Sequence, residues 1–190
     1  MARYESGWGV TENGPRPTPD PRISALVPAM GVTVEMPMAC SPEAVWDLVT
    51  TVERIGEFSP ECAEAWWVPG FPVRAVGGRF EGRNRVERDG DVIEWTRPCD
   101  VVAYDPPERF AYTVGDRFDG TPATRWTFRI TPADPGCLVE QQFEHLPDGL
   151  SGMRLQMEQE DAEARLVQRR AALREGMTQT LDRMRAVLET

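Results

Sequence analysis

RFEGRNRVERDGDVIEWTRPCDV, residues 79 to 101, reads as a β-hairpin, because Asp89-Gly90 supplies the positive φ angles of a tight two-residue turn. Counting outward from that turn sets the register. Val86 faces Ile93, Asn84 faces Trp95, Gly82 faces Arg97 and Phe80 faces Cys99. Strand side chains alternate with period two, so all of these point to one side of a sheet. Arg79, Glu81, Arg83, Arg85, Glu94 and Asp100 fall on the other, wet side. The apolar side therefore carries two misfits, Asn84 and Arg97, with a glycine opposite the arginine as though to leave it room to reach inward.

Bulk properties narrow the class. A chain of 190 residues is one domain by size and buries about 70% of its unfolded surface. A net charge of −10 argues against nucleic acid, whose phosphates need clustered cations. No segment approaches the roughly 18 uncharged apolar residues of a membrane span, and the N-terminus has no apolar signal-peptide core. Cys40, Cys62, Cys99 and Cys137 show no CxxC pairing, which fits free thiols in a reducing cytoplasm. All 21 basic residues are arginine and there is one histidine. Lysine Schiff-base chemistry, the P-loop lysine and multi-histidine zinc sites are thereby excluded. No cofactor or metal is implied, and a monomer is expected.

The rest of the chain falls into simple blocks. Residues 1 to 30, with prolines at 15, 17, 19, 21 and 28, read as an extended or disordered arm, and residues 31 to 190 as the domain proper. VTVEMPM (32 to 38) alternates like a strand. A helix then starts with Ser41 as N-cap and Pro42 at its first position, its apolar stripe formed by Val45, Leu48, Val49 and Val52. Gly56 and Pro60 interrupt it, leaving a second short helix that ends near Phe58. AEAWWV, the hairpin, ERFAYTV, TRWTFRI and CLVEQQFEH are short strands between Gly, Pro and Asp turns. The tail returns to helix, with Leu166, Leu173, Met177, Leu181, Met184 and Leu188 at helical spacing and Met153 and Met157 in an earlier turn. An antiparallel sheet of this size must cover its apolar face, and the last helix is the one large apolar element left to do it.

This order of elements, with VWDLVTTVERIGEFSPEC after the first strand, the GRFEGRNRV…W…C hairpin, DPPERFAYTV and TRWTFRI, resembles the START-like, Bet v 1-like (SRPBCC) superfamily. Within it, the chain is most similar to the bacterial polyketide cyclase/dehydrase group. The resemblance implies an α+β helix-grip fold, a curved seven-stranded antiparallel sheet wrapped round a long C-terminal helix with a cavity between. Members include aromatase/cyclases, lipid and hormone carriers, and proteins of unknown role, so fold alone does not choose the function.

Alternation along the strands then lists the expected wall. Trp67, Phe80, Trp95, Trp126, Phe128 and Phe143 supply apolar surface, and Asn84, Arg97, Tyr112, Gln141 and His145 interrupt it with polar groups. A dry core would penalise these heavily, whereas a ligand-filled cavity accommodates a few placed polar groups. Each polar residue has a structural alternative. Arg97 could instead fasten the C-terminal helix through Glu158 or Glu163, Asn84 could satisfy backbone beside a bulge, and His145 could sit on the rim. Two functions remain open. One is a carrier or sequestering protein for an aromatic polyketide-like or lipid-like molecule, including protection of a producing cell from its own product. The other is a cyclase/dehydrase in which Arg97 stabilises an enolate and His145 or Tyr112 moves a proton.

Overall fold

The computed structural model describes residues 15–88, 90–158 and 161–189. Seven antiparallel strands form one sheet. They are β1 (Val32–Met38), β2 (Cys62–Trp67), β3 (Arg79–Arg88), β4 (Asp91–Asp105), β5 (Arg109–Gly115), β6 (Pro122–Pro132) and β7 (Cys137–His145), in the spatial order β1-β7-β6-β5-β4-β3-β2. Every connection from β2 to β7 joins nearest neighbours, and β1 closes the far edge against β7. Two short helices, α2 (Pro42–Thr50) and α3 (Ile55–Phe58), follow β1, separated by a 3-10 turn. The long α5 (Ala162–Leu188) grips the sheet, preceded by the short α4 (Gly152–Met157). This is the helix-grip architecture expected from the order of elements.

The hairpin register is the one the Asp-Gly turn demands. Val86 pairs with Ile93, Asn84 with Trp95, Gly82 with Arg97 and Phe80 with Cys99. Asp89 itself lies outside the described residues, but Arg88 pairs directly with Asp91 across it and Gly90 has a φ of 85°. The wet face is laced with ion pairs, Arg79 with Asp100 at 2.6 Å and Arg83 with Glu64 at 2.5 Å. Helix α2 starts where predicted, with the Ser41 hydroxyl accepting from the Ala44 N–H and Pro42 in the first turn. Its buried stripe of Val45, Leu48 and Val49 packs with Phe58, Phe80, Phe110, Leu181 and Met184 into the main core.

The arm reading fails between residues 21 and 30. Pro21–Leu26 form α1, and Val27–Met30 a 3-10 turn. Ile23, Val27 and Met30 are buried in a second core with Val32, Phe143, Met157, Leu173 and Met177. The prolines do not forbid this, because Pro21 and Pro28 both occupy first-turn positions, where a missing N–H has no partner to lose. Asp20 caps α1 by accepting from the Arg22 N–H at 2.8 Å. Residues 1–14 of the arm lie outside the described residues.

Candidate ligand-binding site

Between the sheet and α5 lies a cavity of about 440 Å³, within the range of small-molecule sites. The sheet's contribution is organised in rungs. Nearest the rim, Val114 pairs with Thr124 and Thr124 with His145. One step inward, Tyr112 pairs with Trp126 and Trp126 with Phe143. A further step in, Phe110 pairs with Phe128 and Phe128 with Gln141. The wall thus passes from a polar rim through an aromatic band to a floor holding one amide. The helices close the other side with Leu173, Met177 and Thr180 of α5, Met153 of α4, and Val49, Ile55 and Phe58.

Ten of the eleven residues expected on this wall line it. These are Phe80, Asn84, Trp95, Arg97, Tyr112, Trp126, Phe128, Gln141, Phe143 and His145. Trp67 does not. It stands on the edge strand β2 and packs edge-on against Phe80, ring centres 5.7 Å apart, within the main core. Period two gave its side of the sheet correctly, but not its distance from the cavity's centre. The rings that do reach the cavity support one another, Phe80 against Tyr112 at 5.1 Å and Trp126 against Phe143 at 4.9 Å.

The two hairpin misfits resolve differently. Asn84 faces the cavity and donates to the Gly82 carbonyl at 3.4 Å, opposite the bulge between Cys62 and Glu64 in β2. Arg97 also faces the cavity, and its side chain donates to its neighbour's carbonyl, Thr96 O, at 2.7 Å. It pairs with neither Glu158 nor Glu163. Glu158 is taken by Arg154 at 3.6 Å, and Glu163 lies exposed in the first turn of α5. Burial, with the like charge of Arg117 beside it, pulls the Arg97 guanidinium below its ordinary pKa, while Asp116 opposes the shift. Gly82 does not serve to admit the arginine. A Cβ there would come within 3.2 Å of the Cys62 sulfur, so the missing side chain makes room for the thiol of the adjacent strand.

His145 is more than a rim residue. Its Nδ1 lies 2.9 Å from the Leu146 carbonyl, which can only accept, so Nδ1 carries the proton. Nε2 is left to accept from the Ser151 hydroxyl at 2.7 Å, and that same oxygen accepts from the Arg154 N–H at 3.1 Å as the N-cap of α4. Burial pushes the imidazole down to about 4; the Leu146 bond opposes this, and nearby Arg154 and Arg169 add to it. Sequence reasoning missed Ser151, since a serine six residues after a histidine carries no periodic signal and only the turn between β7 and α4 brings them together. Arg154 was missed too. It is fully buried and donates to the Pro147 and Gly149 carbonyls, Asp20 O and the Ser24 hydroxyl, tying α1 and α4 to that turn.

Three more titratable groups on the wall are shifted toward their neutral forms. Burial raises the Tyr112 phenol and the Cys99 thiol well above their usual values, and pushes Cys62 up to about 12 with Glu61 adding to it. Gln141 Oε1 is buried with no hydrogen-bond partner among the described residues.

The sequence profile of a family described as "Polyketide cyclase / dehydrase and lipid transport" matches residues 30–189. The chain belongs to this family. Among solved structures, this chain is similar to a Polyketide_cyc-like protein of Corynebacterium glutamicum, with 25% identity, a TM-score of 0.59, and coverage of 84% of this chain and 91% of that one. A Mycobacterium smegmatis protein aligns at 16% identity and a TM-score of 0.57, over 86% of this chain and 93% of that one. The di-domain ARO/CYC StfQ from the steffimycin biosynthetic pathway aligns at 15% identity and a TM-score of 0.59, over 84% of this chain but 50% of its own. At those identities the last two show the fold alone. No curated protein matches the chain.

Proposed function

We propose that this protein binds an aromatic polyketide-like or lipid-like small molecule in the cavity under α5, holding or sequestering it rather than transforming it. The observation that carries this reading is the aromatic band of Tyr112, Trp126, Phe143, Phe110 and Phe128 that walls the cavity, and the pKa directions of four groups on the wall agree with it. Acid–base catalysis needs a group whose pKa lies near the working pH. His145 lies at about 4, while Tyr112, Cys62 and Cys99 are all displaced upward. Among these four, none is poised to exchange a proton near neutrality. The aromatic band and the polar rim suit a flat apolar body with an oxygen at one end. Arg97 is the residue proposed to orient that oxygen.

A cyclase or dehydrase reading has one observation in its favour. The Ser151–His145 hydrogen bond opens onto the cavity and could relay a proton to a bound chain. The low pKa of the imidazole makes it a weak base there, so binding is the better-supported function.

Tryptophan-fluorescence titration with a panel of aromatic polyketides and fatty acids tests the proposal. Saturable quenching is expected, because Trp95 and Trp126 line the cavity. Arg97→Met should weaken binding by about 10- to 150-fold, the loss of one charge-assisted hydrogen bond. Circular dichroism checks that the variant folds. A folded variant that binds every ligand as tightly as wild type would make Arg97 a structural residue. Turnover of a panel member into a cyclised or dehydrated product would favour the enzyme reading.

A further inference from the structure

The cavity's charges do not match those of the molecule around it. The chain as a whole carries −10, yet Arg97, Arg117 and Arg169 line the cavity against two carboxylates, Glu61 and Asp116. Asp116 is already engaged. Its Oδ2 receives Arg16 Nε at 3.2 Å, and its Oδ1 accepts the Phe118 and Asp119 N–H groups at 3.0 and 3.2 Å. Glu61 is exposed beside Cys62, toward the β2 edge of the sheet.

Among the described residues, no carboxylate pairs with two of the arginines. Arg97 donates to one backbone carbonyl, and no ion pair reaches it among the described residues. Arg169 Nε is buried with no hydrogen-bond partner among the described residues, and its charge adds to the lowering of the His145 pKa. The sheet register places Arg97 beside the rim. Cys99 pairs with Val114, Val114 with Thr124 and Thr124 with His145, and Arg97 lies one inward-facing step outside Cys99. Arg97 therefore meets the cavity at its polar rim, with the aromatic band beyond it, while Arg169 lines the same cavity from α5. Lining a partly buried space with cations is costly unless an anion joins them.

Resting on the binding function proposed above, we infer that the ligand is an acid, an apolar monocarboxylate whose anionic end lies at the rim against Arg97 while its body lies against Tyr112, Trp126, Phe143 and Phe128. The depressed pKa of Arg97 agrees with this, since a bound carboxylate would relieve both its desolvation and its repulsion from Arg117. Arg16 has a positioning role. By holding Asp116 it keeps that carboxylate from occupying Arg97 in the ligand's place.

The test is a matched comparison on the full chain. cis-Parinaric acid and its methyl ester, then 1-pyrenebutyric acid and its methyl ester, are titrated by fluorescence at pH 7.5. Each acid should bind wild type about tenfold or more tightly than its ester. That acid-over-ester ratio should fall to within about twofold in Arg97→Met, a readout that a general loss of packing does not move. If wild type binds acid and ester equally, the anion inference fails while cavity binding stands. If neither acid nor ester binds, the binding function fails and takes the inference with it. Should a variant not fold, the wild-type ratio alone decides.

Discussion

His145 is where a single residue has the clearest consequence for the whole chain. Its pKa is pushed down to about 4 in the fold, against about 6.5 in an unfolded chain. Between those values the unfolded chain takes up a proton that the native one refuses, so stability falls as pH drops from about 6.5 toward 4. The loss is fully avoided above about 6.5 and reaches about 3 kcal/mol at the low end. Urea unfolding from pH 7.5 to 5.0 should show that decline. His145→Asn, which retains a donor for Leu146 O, should flatten it over pH 5.0–6.5, where few carboxylates titrate. An unchanged slope in the variant would place the acid sensitivity elsewhere. Gln141 offers the opposite kind of test. Its Oε1 is buried with no partner among the described residues, and an unmade hydrogen bond of this kind costs about 1–3 kcal/mol. Gln141→Leu should therefore raise the melting temperature while weakening ligands that bear a hydroxyl at the cavity floor.

At the scale of elements, α1 is the piece that composition alone misread. Five prolines within residues 15 to 28 suggested a chain unable to offset its ordering entropy, yet two of them start helical turns. What holds the segment is tertiary. Ile23, Val27 and Met30 fill the second core, and buried Arg154 donates to Asp20 O and the Ser24 hydroxyl. A truncation beginning at Val32 would expose that core and strip two partners from a buried guanidinium, each unmet group costing about 1–3 kcal/mol. We expect a stability loss of about 2 kcal/mol or more, seen as a drop of roughly 4–8 °C in Tm. A truncated chain melting within about 2 °C of the intact one would show that α1 contributes little. Gly149 makes the same point for the turn between β7 and α4. A Cβ there would come within 2.1 Å of Ala123 Cα, so Gly149→Ala should displace the turn that carries Ser151 and disturb the His145 bond with it.

At the scale of the whole molecule, the sheet and α5 enclose space as well as core. A domain that spends part of its interior on a cavity is stabilised by whatever fills it. A ligand at 100 times its Kd adds about 2.7 kcal/mol, or roughly 5–10 °C in Tm for a chain of this size. Thermal melts with the two acids named above should show that rise for wild type and a smaller one for Arg97→Met. The same melts in high salt separate the two contributions, because screening weakens partly exposed charge pairs while leaving apolar burial intact.

Short-range rules determined the architecture. An Asp-Gly turn, period-two alternation, a Ser-Pro helix start and a late apolar stripe each depend on neighbours along the chain, so the hairpin register, the order of elements along the chain and ten of the wall residues were legible before any folding. What remained hidden depends on contacts between distant segments. Gly82 answers to Cys62, Trp67 sits off the cavity on an edge strand, Ser151 finds His145, and Arg154 ties α1 to α4. Local periodicity gives the side of a sheet a residue faces, because that is a property of one strand. Which partner it meets there depends on how strands and helices stack, and only the tertiary structure decides that.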